Sequence, residues 1–478
     1  MTNEELYYLP ASELLKHIQA KKERLIKEKV IKKSKPLPPI TEEEKPYELP
    51  EGWEWVRLSD VINIVYGTRI VKKTAKEGNY PVYGGGDITF YVDTYNRDTA
   101  IVVSRFGLSK KCTRYIKGRF FLNDSGLSLH TFNEMCLRTM YIKFLIESLQ
   151  EQIFELSRGA AQRNLDIDKF NNLLIPFPPL YIQDQIVQKL EQLSEIKDSL
   201  LSHAESQLNY TQKMREALLQ EAIRGELVPQ DENDEPASVL LEKIKAEKEV
   251  LRLYKKARKD SEFPEIESTE IPFEIPSHWK WIRIGEIGIY KKGPFGSALK
   301  KSLFVPKSED TVKVFEQKNA IQKDITLGDY YISKDYFEAN MTGFEVFPGD
   351  ILVSCAGTIG ETYVVPQNSE KGIINQALMR MNIVNSVNLN YFLYYFDFIL
   401  KNTAQESSKG SAIKNIPPFD VFKKLLFPLP PLAEQERIVD KLDALMAHCD
   451  QLEVKAEEMK QSTIKLFEAS LKEAFMPE

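Results

Sequence analysis

The sequence repeats itself once, and that duplication constrains the fold more than any single motif does. Pro10–Leu25 (PASELLKHIQAKKERL) matches Pro236–Leu251 (PASVLLEKIKAEKEVL) at 10 of 16 positions, 226 residues apart. The same offset carries Leu49–Val61 onto Ile275–Ile287, pairing Trp53, Trp55 and Arg57 with Trp279, Trp281 and Arg283. Ala100–Gly107 then resembles Asp350–Gly357 at an offset of 250, and Ser157–Asn164 matches Ser408–Asn415 at 251. Ile175–Leu190 (IPFPPLYIQDQIVQKL) matches Phe427–Leu442 (FPLPPLAEQERIVDKL) at 9 of 16 positions, offset 252. The second copy thus carries roughly 24 extra residues between positions 287 and 350.

Each copy has the same order of parts: a Lys/Glu-rich helical segment, a Pro-rich acidic linker, a mixed stretch and a Pro-Pro stop before a long helix. The boundaries read as 1–46 (helical segment and linker), 47–178 (first globular domain) and 179–229 (central spacer helix). The second set reads as 230–271, 272–430 and 431–478. Alternation in Trp53–Leu58 predicts a strand, and Ala100–Val103 and Ile351–Val353 are candidate buried strands. The expected class is α+β, with two mixed domains joined and separated by long antiparallel coiled-coil helices and an internal pseudo-twofold repeat.

The coiled-coil reading rests on heptad spacing. From Ile438 the apolar or small positions are Leu442, Leu445, Cys449, Leu452, Ala456, Met459, Thr463 and Leu466. The first copy runs through Ile186, Leu190, Leu193, Lys197, Leu200, Ala204, Gln207, Thr211 and Met214. A helix of about 45 residues spans roughly 65 Å, too long for one compact core.

Composition excludes several classes. Across 478 residues 42% are hydrophobic and 28% charged, as in soluble proteins with several cores. No apolar run is long enough for a membrane span; Tyr391–Leu400 is short and interrupted by Asp397. The acidic start MTNEELYYLP lacks a secretory pattern, and Cys112, Cys136, Cys355 and Cys449 form no CxxC pair. A reducing cytoplasm is the expected compartment. His17, His130, His203, His278 and His448 show no metal-ligand spacing, so no metal site is expected. There is no GxxxxGK[ST] loop and no GxGxxG after a strand. Asn415-Ile416-Pro417-Pro418-Phe419 approximates the Asn-Pro-Pro-Phe loop of adenine methyltransferases, but the inserted Ile416 breaks the grip on an exocyclic amine. These absences predict a binding protein without catalytic residues.

The net charge of −6 hides a division of labour. Stretches 47–178 and 272–430 each carry a net +2, so the helices and linkers supply the negative charge. Basic residues cluster at Lys72 and Lys73, and at Arg105, Lys110, Lys111 and Arg114, interleaved with Phe106 and Tyr115. In the second copy Lys291, Lys292, Lys300 and Lys301 flank the Gly293–Ser297 turn. The Ser157–Arg163 loop adds Arg158 and Arg163, and its counterpart Ser408–Lys414 adds Lys409 and Lys414. Glycine-rich loops with cations, together with Ser297, suit contacts to a phosphate backbone.

With its two variable segments, each opened by [LI]P…W.W.R[LI] and closed by [IL]P[FL]PPL…Q…I…KL, nearly the whole chain resembles the specificity subunit of type I restriction–modification systems. GTRIVKK, YPVYGGGD, GPFGSALKK and GDILVSCAGTIG are similar to its recognition segments. Where the second copy has Glu434-Gln435-Glu436-Arg437, the first has Ile182-Gln183-Asp184-Gln185, so Ile182 is expected to face a different partner. The resemblance implies two target-recognition domains, each reading half of a bipartite site on double-stranded DNA, with no catalytic activity in this chain. It also implies two modification (methyltransferase) subunits and two restriction (helicase–nuclease) subunits as partners. S-adenosylmethionine, ATP and Mg are then expected on those partners and no cofactor here. Two other classes compete: a stand-alone bivalent DNA-binding regulator, and a coiled-coil adaptor with no DNA role.

Overall fold

The computed structural model describes residues 3–33, 37–159, 163–255, 257–356, 358–407 and 419–475. The chain divides into two compact units, residues 1–205 with 456–478, and residues 206–455.

In the first unit the strands are β1 (Glu54–Arg57), β2 (Ile62–Tyr66), β3 (Tyr80–Tyr83), β4 (Phe90–Val92), β5 (Arg97–Ser104), β6 (Thr113–Leu122), β7 (Gly126–Thr131), β8 (Ser157–Arg158), β9 (Asn164–Leu165) and β10 (Leu174–Phe177). Six of them form one sheet in the order β2-β7-β5-β6-β3-β4. The core gathers the inward residues of this sheet with Tyr141, Phe144 and Leu145 of the helix Thr139–Ser148. The lone pair β1–β10 closes the domain, Glu54 opposite Phe177.

The N-terminal segment is part of this unit. Its helix Ala11–Lys27 opens after Pro10 and turns Ala11, Leu14 and Ile18 inward at helical spacing. Burying a leucine or isoleucine side chain stabilises by about 1.5–3 kcal/mol. Ala11 N–H donates to the Gly52 carbonyl at 3.2 Å and Lys22 Nζ to the Ser59 carbonyl at 2.8 Å.

The second unit repeats this plan with β11 (Lys280–Arg283), β12 (Gly288–Lys292), β13 (Thr311–Phe315), β14 (Tyr331–Ser333), β15 (Glu345–Val346), β16 (Ile351–Ser354), β17 (Thr362–Val364), β18 (Gly372–Ile374), β19 (Leu378–Ile383) and β20 (Leu426–Leu429). Lys280 stands opposite Leu429, the register of β1–β10. The order β12-β19-β16 copies β2-β7-β5. β13 runs parallel to β18, as β3 does to β6, so the single long β6 corresponds to β17 and β18 together. The extra residues of this copy include the helix Gln317–Ile321 after β13, and the helical turns of 334–344 with β15 after β14. Ala237 N–H donates to the His278 carbonyl and Lys248 to the Gly285 carbonyl, each bond displaced by 226 from its counterpart in the first unit.

Both acidic linkers are docked straps. The buried Arg57 donates to the Pro38 and Asn172 carbonyls and, through Nη2, to both oxygens of Glu44 at 3.0 and 3.1 Å. Arg283 does the same with the Lys424 and Glu265 carbonyls and with Glu270 at 2.9 Å. Each glutamate is the third residue of a one-turn helix and also accepts the backbone N–H that opens that turn, of Thr41 or Glu267.

The central helix Leu180–Arg224 has 45 residues and stops at Gly225, whose φ of +76° suits glycine. The C-terminal helix is Leu432–Phe475. Each helix gives one half to each unit. In the first unit Leu190 shares the core with Phe467, Leu471 and Phe475, and the Lys197 ammonium lies 4.3 Å from the Phe467 ring centroid. In the second, Arg215 pairs with Asp450 and Glu453, whereas Leu219 and Ile223 enter the core with Leu442 and Ile438. Rising numbers on one helix meet falling numbers on the other, so the halves run antiparallel within each unit.

The seam is narrower than the heptads predict. Leu190, Ala204, Thr211, Ile438, Leu442, Cys449 and Ala456 are buried, most of them seven residues apart. Ile186, Leu193, Leu445, Leu452 and Met459 are only half-buried, and Leu200 is 38% exposed. Leu466 faces solvent at 70%, its expected place taken by Phe467. The step from Ala456 to Phe467 is eleven residues, which matches the 3.6-residue turn of a straight helix better than another heptad does.

Candidate nucleic-acid interface

In the first unit, hydrogen bonds bring five loops together. After β2, Gly67 N–H donates to the Gly126 carbonyl at 3.0 Å and Thr68 N–H to the Leu122 carbonyl at 2.9 Å. A Cβ on Gly67 would fall 1.9 Å from the Asn123 carbonyl oxygen, so only glycine permits this approach. After β3, the Gly85 carbonyl accepts from Ser104 Oγ at 2.7 Å and from Arg114 at 3.3 Å. After β5, Arg105 N–H donates to the Ser125 carbonyl at 2.8 Å, and the Arg105 carbonyl accepts from Leu165 N–H. Leu108 N–H donates to the Arg163 carbonyl, which ties in the loop between β8 and β9.

The second unit uses the same frame. Gly293 N–H donates to the Leu378 carbonyl at 2.9 Å, and a Cβ there would meet the Asn375 carbonyl oxygen at 1.8 Å. Asn375 N–H donates to the Phe315 carbonyl as Asn123 N–H does to Tyr83, and Cys355 N–H to Ala377 as Arg105 does to Ser125. The side chains on this frame differ. Arg105 lies over Tyr66 and Phe106, whereas Cys355 is buried and its thiol is pushed up to about 11 by that burial.

Two backbone-matched loop clusters with unlike side chains, each inside one copy of a duplicated chain, suit a reader of two different targets. Residues 50–210 and 276–459 match the family described as type I restriction modification DNA specificity domain. The chain belongs to that family. The specificity subunit of the Escherichia coli type I restriction enzyme EcoAI is 26% identical over 96% of this chain and 88% of its own length. That of EcoEI, also from Escherichia coli, is 26% identical over 96% and 89%. A chain solved in work on complex assembly and conformational transition of the type I R-M system covers 90% of this chain and all of its own, with a TM-score of 0.59 at 18% identity. It shares the fold. Like the relatives, this chain is a specificity subunit, the non-catalytic recognition component, and it carries two target-recognition domains.

The cations singled out from the specificity subunit's sequence fall into distinct settings. Lys72, Lys73, Lys110 and Lys111 are exposed on first-unit loops. Arg114 is half-buried, with Asp87 3.9 Å away, and braces the Gly85 loop. Arg158 pairs with the buried carboxylate of Asp166, and Arg163 covers the Phe154 ring at 4.6 Å. In the second unit Lys292, Ser297, Lys300 and Lys301 are exposed around the Gly293 turn. Lys291 is different: its ammonium sits 4.6 Å from the Phe344 centroid, and burial, with help from Arg380, lowers its pKa. Lys409 and Lys414, with Asn415–Pro418, lie outside the described residues. Among the described residues no His, Cys, Asp or Glu group could hold a metal ion, and no helix is long and apolar enough to cross a membrane.

Two exposed side chains around these loops lie outside the residues singled out from the basic clusters. Arg69 lies on the loop pinned by Gly67, and Phe295 stands 89% exposed on the Gly293 turn, between Lys292 and Lys300. The detectable signal was the glycine that follows the first sheet strand in both copies. Phe106 was visible only as an aromatic interleaved in the basic cluster, and Tyr66 had no signal, because its importance comes from the Arg105 guanidinium beside it.

The one departure between the closing motifs also has a structural meaning. Gln183 and Gln435 act alike: each accepts a backbone N–H, from Arg138 or Asn388, and each donates to a proline carbonyl. The position before them differs. Glu434 is buried and accepts from Trp279 Nε1 and Gln230, where the first copy has the half-buried Ile182.

Proposed function

We propose that this specificity subunit reads a bipartite, asymmetric site on double-stranded DNA, one half-site per target-recognition domain, as part of a type I restriction–modification assembly. The observation that carries this reading is the retained loop frame with exchanged side chains: Gly67 and Gly293, Asn123 and Asn375, but Arg105 against Cys355. A retained frame would place both loop clusters alike on a duplex, and exchanged side chains would meet different bases. Membership of a family named for DNA specificity favours this over a stand-alone bivalent regulator or an adaptor without DNA.

The exposed Lys72, Lys73, Lys110, Lys111, Lys292, Lys300 and Lys301 would contact phosphates, joined by Lys409 and Lys414. The chain would bind no cofactor; S-adenosylmethionine, ATP and Mg would belong to two modification and two restriction subunits docked on the helices. A 45-residue helix is about 67 Å long at 1.5 Å per residue, a length suited to setting the spacer between half-sites. The compartment would be the cytoplasm, where the DNA is.

The test is an exchange of segment 47–178 for the corresponding domain of another specificity subunit, with methylated genomic adenines read by sequencing. One half-site should change while the other and the spacer stay. Inserting one four-residue turn after Arg215 should alter the tolerated spacer and neither half-site. Loss of independence in either variant would overturn the proposal.

A further inference from the structure

We infer that Arg105 reads a guanine in the half-site of the first domain, rather than holding a phosphate; this rests on the reading of the domain as a DNA reader. Four observations carry it. The guanidinium lies 5.1 Å from the Tyr66 ring centroid and 4.5 Å from that of Phe106, two exposed aromatic residues. Contact with two rings restricts the orientations of the guanidinium fork without engaging its donors in an ion pair. The backbone is clamped on both sides, by Arg105 N–H to Ser125 and by Leu165 N–H to the Arg105 carbonyl at 2.9 Å, while Phe106 bridges to Asn164. A reader held this way loses little freedom on binding, which is what discrimination between bases needs.

Charge pairing separates Arg105 from Arg114, Arg119 and Arg158. Among the described residues Arg114, Arg119 and Arg158 each have a carboxylate within 4.0 Å, whereas the side-chain hydrogen bond of Arg105 is a long one, 3.5 Å to the Asp124 carbonyl. Its donors are therefore not already spent on an acid.

The duplication supplies the deciding comparison. Cys355 occupies the same place on the same frame and makes the same 2.8 Å backbone bond, yet it is buried and carries no cation. A phosphate contact is sequence-independent and would serve both domains equally. A base contact must change when the half-sites differ. An arginine edge matches guanine O6 and N7 with two parallel hydrogen bonds, a pairing that discriminates by roughly ten- to a hundredfold.

The experiment uses the chain assembled with the methyltransferase subunit of its system, comparing wild type, Arg105→Lys and Arg105→Ala by methylated-adenine sequencing and by binding to site variants across a salt series. The expected result is that both substitutions relax one guanine position of the first half-site about ten- to a hundredfold, leaving the second half-site and the spacer untouched. Lysine keeps the charge and loses the fork, so it should fail as alanine does. If Arg105→Lys retains wild-type discrimination, or Arg105→Ala weakens all sequences equally and lowers the salt slope by about one, Arg105 is a phosphate contact and the inference is overturned. Tyr66→Leu, which keeps the arginine and removes its stack, should relax the same position; unchanged discrimination there would also count against it. A wild-type assembly that methylates without any bipartite preference would instead defeat the underlying DNA-reader proposal.

Discussion

Trp279 donates its indole N–H to the buried carboxylate of Glu434 at 2.8 Å, joining the strand-opening tryptophan of the second domain to the first turn of its closing helix. Gln230 donates to the other oxygen at 2.5 Å. The first copy holds Ile182 at the equivalent position, so the duplicated halves are clamped by different chemistry.

Replacing Glu434 by alanine strands the buried Trp279 indole N–H, whereas the exposed Gln230 keeps the Gly225 carbonyl, and should destabilise the second unit by about 1–3 kcal/mol. Urea unfolding would show it. Glu434→Gln retains an acceptor and carries no charge, and here pH gives the diagnostic. Burial raises the Glu434 pKa above the usual 4.5, outweighing the donors and Arg437, while Asp234 pushes the same way. The native state therefore holds its proton to higher pH than the unfolded chain does, so this group's contribution to stability falls as pH rises through and above 4.5. Wild type should lose stability relative to Glu434→Gln across that window. Parallel pH profiles would contradict the assignment.

Arg57 and Arg283 should prove equivalent. Alanine at either removes a buried fork from two carbonyls and a carboxylate, at a cost of about 2–4 kcal/mol. Hydrogen exchange should then rise in residues 37–46 for Arg57→Ala and in 263–271 for Arg283→Ala, each strap responding only to its own arginine. Lysine should rescue poorly, since one ammonium cannot replace the fork.

Gly67→Ala and Gly293→Ala place a methyl group less than 2 Å from a carbonyl oxygen of Asn123 or Asn375. The loops must shift apart. Each substitution should weaken recognition of one half-site while the other is read normally, as scored by methylated-adenine sequencing. Equal loss at both half-sites would mean global unfolding, which circular dichroism would reveal.

Neutralising Lys110 and Lys111 to glutamine should weaken binding to every DNA sequence. The plot of log K against log salt should flatten by about one unit per lost contact. An unchanged slope would leave both lysines as merely solvated residues.

Local and periodic features were legible from the sequence alone. The offsets of 226 and 252 paired Arg57 with Arg283 and Gln183 with Gln435, and heptad spacing located the helices, because helix period and duplicated segments are written in chain order. The division of roles among the cations was not. Arg105, Arg114 and Lys291 look alike in a basic cluster, yet one lies over two aromatic rings with no carboxylate partner among the described residues, one braces a loop and one lies under a phenylalanine. Leu466 likewise fits the heptad and faces solvent. These outcomes depend on which groups distant segments bring within a few ångströms, Tyr66 beside Arg105 or Phe344 beside Lys291, and such contacts leave no period in the chain. Only the folded packing decides whether a charge is spent internally or left free for a ligand.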